Sequence, residues 1–175
     1  MARFVDRLIQ DGIHQPIEVI VDPDEKDLVD IRQKRLRRHW WTAQRERSAL
    51  PVRSDISRSF LDDLADIVAV VSKIDNALRY DSFGKSLADA FGHDMTGEEV
   101  DSLPPSVGQM FRAVYLLSEH RRVPVFTRHE PPPGVPVDHW LRLVVPLGDP
   151  DRTKVGGFIV CSIPVAEPDE KSSWR

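Results

Sequence analysis

The run RYDSFGKSLADAFGHDMTG, residues 79–97, holds three glycines and a Gly-Lys-Ser triplet, residue types that phosphate-binding loops use. A Walker loop needs the spacing G-x-x-x-x-G-K-[ST], and a dinucleotide site needs G-x-G-x-x-G, because backbone amides must converge on the anion. Neither spacing occurs in this run. We therefore predict structural roles: Gly84 at a strand-to-helix turn, Gly92 at a left-handed helix end, and Gly97 at the next helix start.

The other residue types that could bind a metal or act as a nucleophile do not have the spacing that such sites require. The six histidines show neither His-x3-His nor His-Glu-x2-His spacing, and no G-x-S-x-G is present. Cys161 is the single cysteine, which excludes an intrachain disulfide and a multi-cysteine metal site, and it falls in a predicted core strand without an evident base. We predict that the chain is not an enzyme and holds no metal.

Composition predicts a soluble globular chain. Of the 175 residues, 41% are hydrophobic and 30% are charged. The longest apolar runs, 67–71 and 141–147, are far shorter than the roughly 20 residues of a membrane helix, so we expect no membrane partner. The N-terminus lacks the apolar stretch of an export signal, which favours a cytoplasmic location.

Positive charge is concentrated between residues 32 and 58, where nine arginines and lysines face only Glu46 and Asp55. Two interpretations stay open. The favoured one is a helix face that complements the acidic remainder of the same chain or of a second copy. The alternative is a basic-helix module in which Arg32 to Arg47 bind nucleic acid or an anionic nucleotide, a partner that we do not expect.

Hydrophobic spacing in the first part of the chain predicts a strand and two helices. The strand covers residues 16–21, and the helices cover 24–47 and 55–67. The candidate cap of the second helix is Asp55 or Ser57. The core stripe of the first helix consists of Val29, Leu36, Trp40 and Ala43.

From residue 67 onward the pattern predicts two strands, short helices, one long helix and three further strands. The predicted strands are 67–75, 76–84, 123–130, 139–148 and 155–165. Thr96 with Glu99, and Ser106 with Gln109, have the form of capping boxes, the second at the start of a helix that reaches His120. A rigid loop is expected at 131–136.

This order of elements is that of a PAS domain, and the residues add a resemblance. Residues 80–97 follow Y-x3-G-x2-L-x3-F-G-x-D-x-T-G and are preceded by HWW and LPVRSDI. From about His39 to Val165 the chain resembles bacterial stand-alone PAS-domain proteins with a helical N-terminal extension. The resemblance implies an α+β fold, with a PAS-like five-stranded antiparallel sheet, short helices on one face and N-terminal amphipathic helices. We expect a mainly helical extension at 1–63, a PAS-like domain at 64–166 and a flexible tail at 167–175.

The resemblance implies a sensory or protein-interaction module that acts through another signalling protein or a homodimer. A pocket for a small apolar ligand would lie between the sheet and the helices, although a core filled by side chains fits the same pattern. Haem is not expected, because His120 falls at the end of the long helix, and no cofactor is identified. The candidate ligand-binding residues are Phe83, Met110, Phe111, Val114, Leu143 and Cys161.

Large aromatic residues on and near the first helix are candidates for a protein interface. Trp40, Trp41 and Leu36 on that helix, with Trp140 in a strand, are the candidate interface residues, because aromatic anchors are enriched at interfaces. If the helix pairs with a second copy, Trp40→Asp converts a dimer to a monomer. The alternative is that the helix covers the sheet of its own chain.

Overall fold

The computed structural model describes residues 16–131 and 137–166. Ten helices and strands follow one another in these ranges, with short 3₁₀ turns at Arg53–Asp55, Ala65–Ile67 and Val100–Ser102. All but residue 131 of the predicted loop at 131–136, and the predicted tail at 167–175, lie outside the described residues. The elements are β1 (Pro16–Val21), α1 (Ile31–Arg47), α2 (Arg58–Asp62), β2 (Val68–Ile74), β3 (Ala77–Phe83), α3 (Lys85–Phe91), α4 (Pro105–Arg121), β4 (Val125–His129), β5 (His139–Gly148) and β6 (Val155–Val165).

The strands form one antiparallel sheet in the order β1-β4-β5-β6-β2-β3. The predicted α+β class and the predicted order of elements from β2 to β6 are confirmed. The sheet has six strands and not the five predicted, because β1 pairs with β4 at the edge. The predicted division of the chain at residues 63 and 64 stays a prediction.

Strand register assigns each side chain to one of two faces, because successive residues of a strand point to opposite sides. Arg142 in β5 donates a hydrogen bond to Tyr115 of α4, so its side of the sheet faces the helices α3 and α4. We call this the helical face. Its neighbours Leu141 and Leu143 point to the other side, which we call the α1 face because α1 packs against β5 and β6 there. Every residue of β5 from Trp140 to Leu147 is buried, so both faces are covered.

Helix α1 is fixed at its start by Asp30, whose carboxylate accepts a hydrogen bond from the Arg32 amide at 2.8 Å. The helix therefore begins seven residues later than the predicted position 24. Three members of the predicted stripe are buried, but Val29 precedes the helix and is 78% exposed. Gln33 occupies the buried position instead. Its Nε2 donates to the carbonyl oxygens of Leu141 at 2.9 Å and Cys161 at 3.1 Å, which anchors α1 to β5 and β6.

The predicted helix at 55–67 is broken into α2 and two flanking 3₁₀ turns. Asp55 cannot serve as its cap because the Asp55 carboxylate accepts from the Val52 amide at 2.9 Å and from Arg152. Ser57 stands at the N-cap position of α2, but its side chain makes no capping hydrogen bond.

Neither predicted capping box forms. The Thr96 amide and hydroxyl both donate to Asp94, at 2.9 and 2.7 Å, so residues 94–96 form a turn. Helix α4 begins at Pro105, one residue before Ser106, because proline at the first helical position already has a helical φ.

The glycine roles are partly confirmed. Gly92 ends α3 with a φ of +88°, as predicted. Gly97 has a φ of +87° but does not start a helix. It lies in a turn, where its amide donates to the Tyr80 carbonyl oxygen. Gly84 has an ordinary φ of −62°. What requires glycine there is close packing, because an added Cβ would lie 2.5 Å from the carbonyl oxygen of Ala65.

Candidate functional site

Arg142 is a charged residue in the middle of a buried strand, and its side chain is the unusual feature of the helical face. The residue is 3% exposed. Its Nη2 donates to the Tyr115 hydroxyl at 2.5 Å, and its guanidinium carbon lies 3.6 Å from the centre of the Phe111 ring. Within residues 16–131 and 137–166, no carboxylate forms an ion pair with it. The cation is therefore held by aromatic faces and a phenol.

Polar atoms without a hydrogen-bond partner accumulate around Arg142. Among the described residues, Arg142 Nη1, Thr127 Oγ1 and Trp140 Nε1 are buried and unpaired. Thr127 lies directly opposite Arg142 in the β4–β5 register, and Trp140 lies two residues away on the same face. An unpaired buried polar group costs about 1–3 kcal/mol, so a native fold rarely keeps several side by side. We call Arg142, Thr127, Trp140, Tyr115 and Phe111 the Arg142 site.

The phenols near the guanidinium stay neutral. Burial raises the pKa of Tyr80 well above the usual value for tyrosine, and burial likewise raises the pKa of Tyr115, against a smaller lowering effect of Arg142. The positive charge of the site is that of the Arg142 guanidinium. The site therefore presents one positive charge and hydroxyl groups that remain protonated at neutral pH.

A small cavity of about 20 Å³ adjoins Arg142 and Ser162. Such a volume holds about one water molecule, whereas drug-sized ligands occupy pockets of roughly 300–1,000 Å³. Phe83 and Phe91 form one wall, with ring centres 5.9 Å apart, and both are only half-buried. Side chains therefore fill most of the space at this cavity, and Phe83 and Phe91 are its two lining residues that are not fully buried.

The six predicted ligand-binding residues do not line one cavity. Phe83 and Phe111 border the small cavity, while Met110 and Val114 are buried on α4 but do not border it. Leu143 and Cys161 lie opposite each other in the β5–β6 register and point to the α1 face, so the sheet separates them from Phe111. Burial also raises the pKa of the Cys161 thiol to about 12, which makes it unreactive.

Sequence reasoning missed Arg142, although a signal was present. In the run LRLVVPL of β5, Arg142 is the single charge among apolar residues. A charged residue in a strand that is covered on both faces is nearly always paired or functional. That exception within an apolar run was the available clue.

Three of the four predicted interface residues are buried within the fold. Leu36 and Trp40 are 0% and 1% exposed, and Trp40 Nε1 donates to the Pro146 carbonyl at 2.6 Å. Trp140 is buried on the helical face, where its ring contacts Phe91 at 5.8 Å. Trp41 alone is well exposed, at 39%. Helix α1 thus covers the sheet of its own chain, which was the alternative interpretation, and Trp40 is turned toward that sheet. A homodimer stays a prediction.

Five of the seven lysines and arginines of α1 are paired with acids of the same chain. Arg32 contacts Asp30 and Arg38 contacts Glu25, each at 2.7 Å. Further ion pairs join Arg35 to Asp63, Arg37 to Asp22 and Arg47 to Asp55. This arrangement matches the favoured interpretation, in which the basic face complements the acidic remainder of the chain.

In the described ranges, no group of three or more histidine, cysteine, aspartate or glutamate side chains is placed to hold a metal ion. No helix in the same ranges has the length and apolar character needed to cross a bilayer.

Comparisons with known proteins give one structural likeness to report. No family model matches the chain, and no curated protein matches it. The chain is similar to the crystal structure of a sensory box sensor histidine kinase from Vibrio cholerae, with 16% sequence identity and a TM-score of 0.48. The alignment covers 63% of this chain and 89% of that chain. The PAS-like order of elements is visible in the chain itself, from β2 to β6.

Proposed function

We propose that the chain is a PAS-type sensory or protein-interaction module, and that the Arg142 site receives its signal. The observation that supports this function is the buried guanidinium, which has a free donor and neighbours that also lack partners. A fold gains no stability from such groups by themselves, but a bound ligand would satisfy them. The described residues contain no catalytic constellation. The signal would therefore be transmitted through a partner protein or through a second copy of the module.

A short physical connection runs from the Arg142 site to the opposite face. Gln33 of α1 bonds to the carbonyl oxygens of Leu141, the neighbour of Arg142, and of Cys161. A ligand that shifts β5 at Arg142 therefore shifts an acceptor of α1. The outer side of α1, with the exposed Trp41 and the adjacent Arg45 at 4.5 Å from its ring, is the surface that a partner would contact.

Native mass spectrometry of the purified full chain tests this function, because it reports the retained ligand and the oligomeric state together. We expect a small non-covalent mass on the wild-type chain. A thermal-shift screen with small acids, amides and apolar compounds provides the second measurement, since a ligand that binds only the folded chain raises its melting temperature. If no mass is retained and no compound in any class raises the melting temperature, the sensory function is refuted.

A further inference from the structure

We propose that the Arg142 site binds the carboxylate group of a small organic acid. This inference rests on the proposed sensory function and adds the chemical class of the ligand. It starts from the donors that the fold places together on the helical face and from the charge that they carry.

The unpaired atoms of the site can donate hydrogen bonds, so the ligand that suits them is one that accepts hydrogen bonds. Arg142 Nη1 and Trp140 Nε1 are donors only, and the Thr127 hydroxyl can donate as well. Arg142 borders the small cavity, so a ligand group there that accepts hydrogen bonds would satisfy its free Nη1. A carboxylate has two oxygens that accept about four hydrogen bonds, and its planar shape fits a guanidinium.

The charge of the site requires a negative group. A buried ion without a counter-ion is costly, and stacking on an aromatic ring compensates it only in part. The ring centres of Phe111 and Tyr115 lie 3.6 and 5.0 Å from the guanidinium carbon of Arg142. Both side chains are neutral near pH 7. An anion at Nη1 would therefore complete the pairing that the described part of the chain leaves incomplete.

The size of the cavity limits the acid. The space beside Arg142 is about 20 Å³, so even acetate needs the wall formed by Phe83 and Phe91 to move. Both rings are half-buried, and Phe91 is the last residue of α3, directly before the left-handed Gly92. Phe83 and Phe91 are the two residues lining the cavity that are not fully buried, so this wall is the side of the cavity that reaches solvent. A short acid enters there, and larger acids are excluded.

The test is thermal unfolding of the full chain in sodium acetate, in the neutral isostere acetamide, and in sodium chloride at matched ionic strength. Acetate at about 100 times its dissociation constant is expected to raise the melting temperature of the wild-type chain by about 5–10 °C. Acetamide and chloride should raise it by less than about 1 °C. Arg142→Met should abolish the acetate effect, and Arg142→Lys should weaken it.

The matched control removes one arginine charge at a different, exposed position. Arg58→Met removes an exposed arginine, whose side chain is 92% exposed and 3.9 Å from Asp62, and should leave the acetate effect intact. An equal acetate effect in Arg142→Met, or an acetate effect no larger than that of chloride, overturns the proposal. If Arg142→Met does not fold, Arg142→Lys and the wild-type comparison of acetate with acetamide decide the question.

The outcomes separate the two proposals. If acetamide or another neutral compound stabilises the wild-type chain and acetate does not, the carboxylate proposal fails while the sensory function stands. If neither acids nor neutral compounds bind, both fail.

Discussion

Replacing Trp40 by alanine tests whether α1 is a fixed part of the fold. Trp40 is 1% exposed, and its ring nitrogen donates to the Pro146 carbonyl at 2.6 Å. Truncating a buried aromatic residue to alanine costs about 3–5 kcal/mol. The lost hydrogen bond also leaves the Pro146 carbonyl unpaired, at a cost of about 1 kcal/mol. We therefore expect Trp40→Ala to lower the free energy of unfolding by about 4–6 kcal/mol.

Urea unfolding followed by far-ultraviolet circular dichroism measures this loss. With a denaturant slope of about 2–3 kcal/mol per molar urea, the midpoint should fall by about 1.3–3 M. Typical domains are stable by only about 5–15 kcal/mol, so the variant is expected to be near the limit of folding. Trp40→Phe retains most of the ring volume and should lose about 1–2 kcal/mol.

The neighbouring tryptophan supplies the control. Trp41 is 39% exposed and contacts the Arg45 guanidinium from outside, so Trp41→Ala should cost less than about 1 kcal/mol. Sedimentation of both variants reports the molecular mass. The reasoning is refuted if Trp40→Ala leaves the urea midpoint within 0.3 M of wild type, or if its main effect is to split a dimer into folded monomers.

Two further predictions concern the ion pair of Asp55 and the packing of Gly84. Hydrogen bonding from Arg152, at 2.5 Å, holds the pKa of Asp55 below its usual value. The stabilisation is therefore present above the unfolded pKa of about 4 and is lost as pH falls through the lower folded pKa. Urea midpoints of wild type and Asp55→Asn should differ at pH 7 and converge in acid; a gap that widens in acid would contradict this. Gly84→Ala should cost about 2–3 kcal/mol, because its Cβ would meet the Ala65 carbonyl at 2.5 Å. Gly92→Ala, which has open space but a φ of +88°, should cost only about 1 kcal/mol, and the reverse order of the two melting temperatures would refute the packing argument.

The sequence predicts the sheet better than the helices. The bounds of β5 and β6, 139–148 and 155–165, are the ones predicted, because long apolar strands end at strong turn residues such as Asp149 and Pro150. Helix starts are less well predicted. Asp30 caps α1 well inside the predicted helix, and the Asp55 carboxylate is drawn to Arg152, which lies 97 residues further along the chain. A long-range ion pair of this kind has no local signal.

The candidate site was only partly predictable for a similar reason. Aromatic residues such as Phe83 and Phe111 are recognisable from spacing, but the face of the sheet to which Leu143 and Cys161 point depends on register. A shift by one residue moves a side chain across the sheet, and an apolar strand covered on both faces gives no alternation from which to read the register. Within β5, the charge of Arg142 was the one sequence feature that marked a face of the strand as a candidate site.

The guanidinium of Arg142 lies on the helical face, and no carboxylate among residues 16–131 and 137–166 pairs with it. A crystal structure of the full chain grown in sodium acetate tests this arrangement most directly. We predict acetate within hydrogen-bond distance of Arg142 Nη1, with Tyr115 still bound to Nη2 and α1 still covering the opposite face. A carboxylate of the same chain bound to Nη1, in place of acetate, would contradict the account.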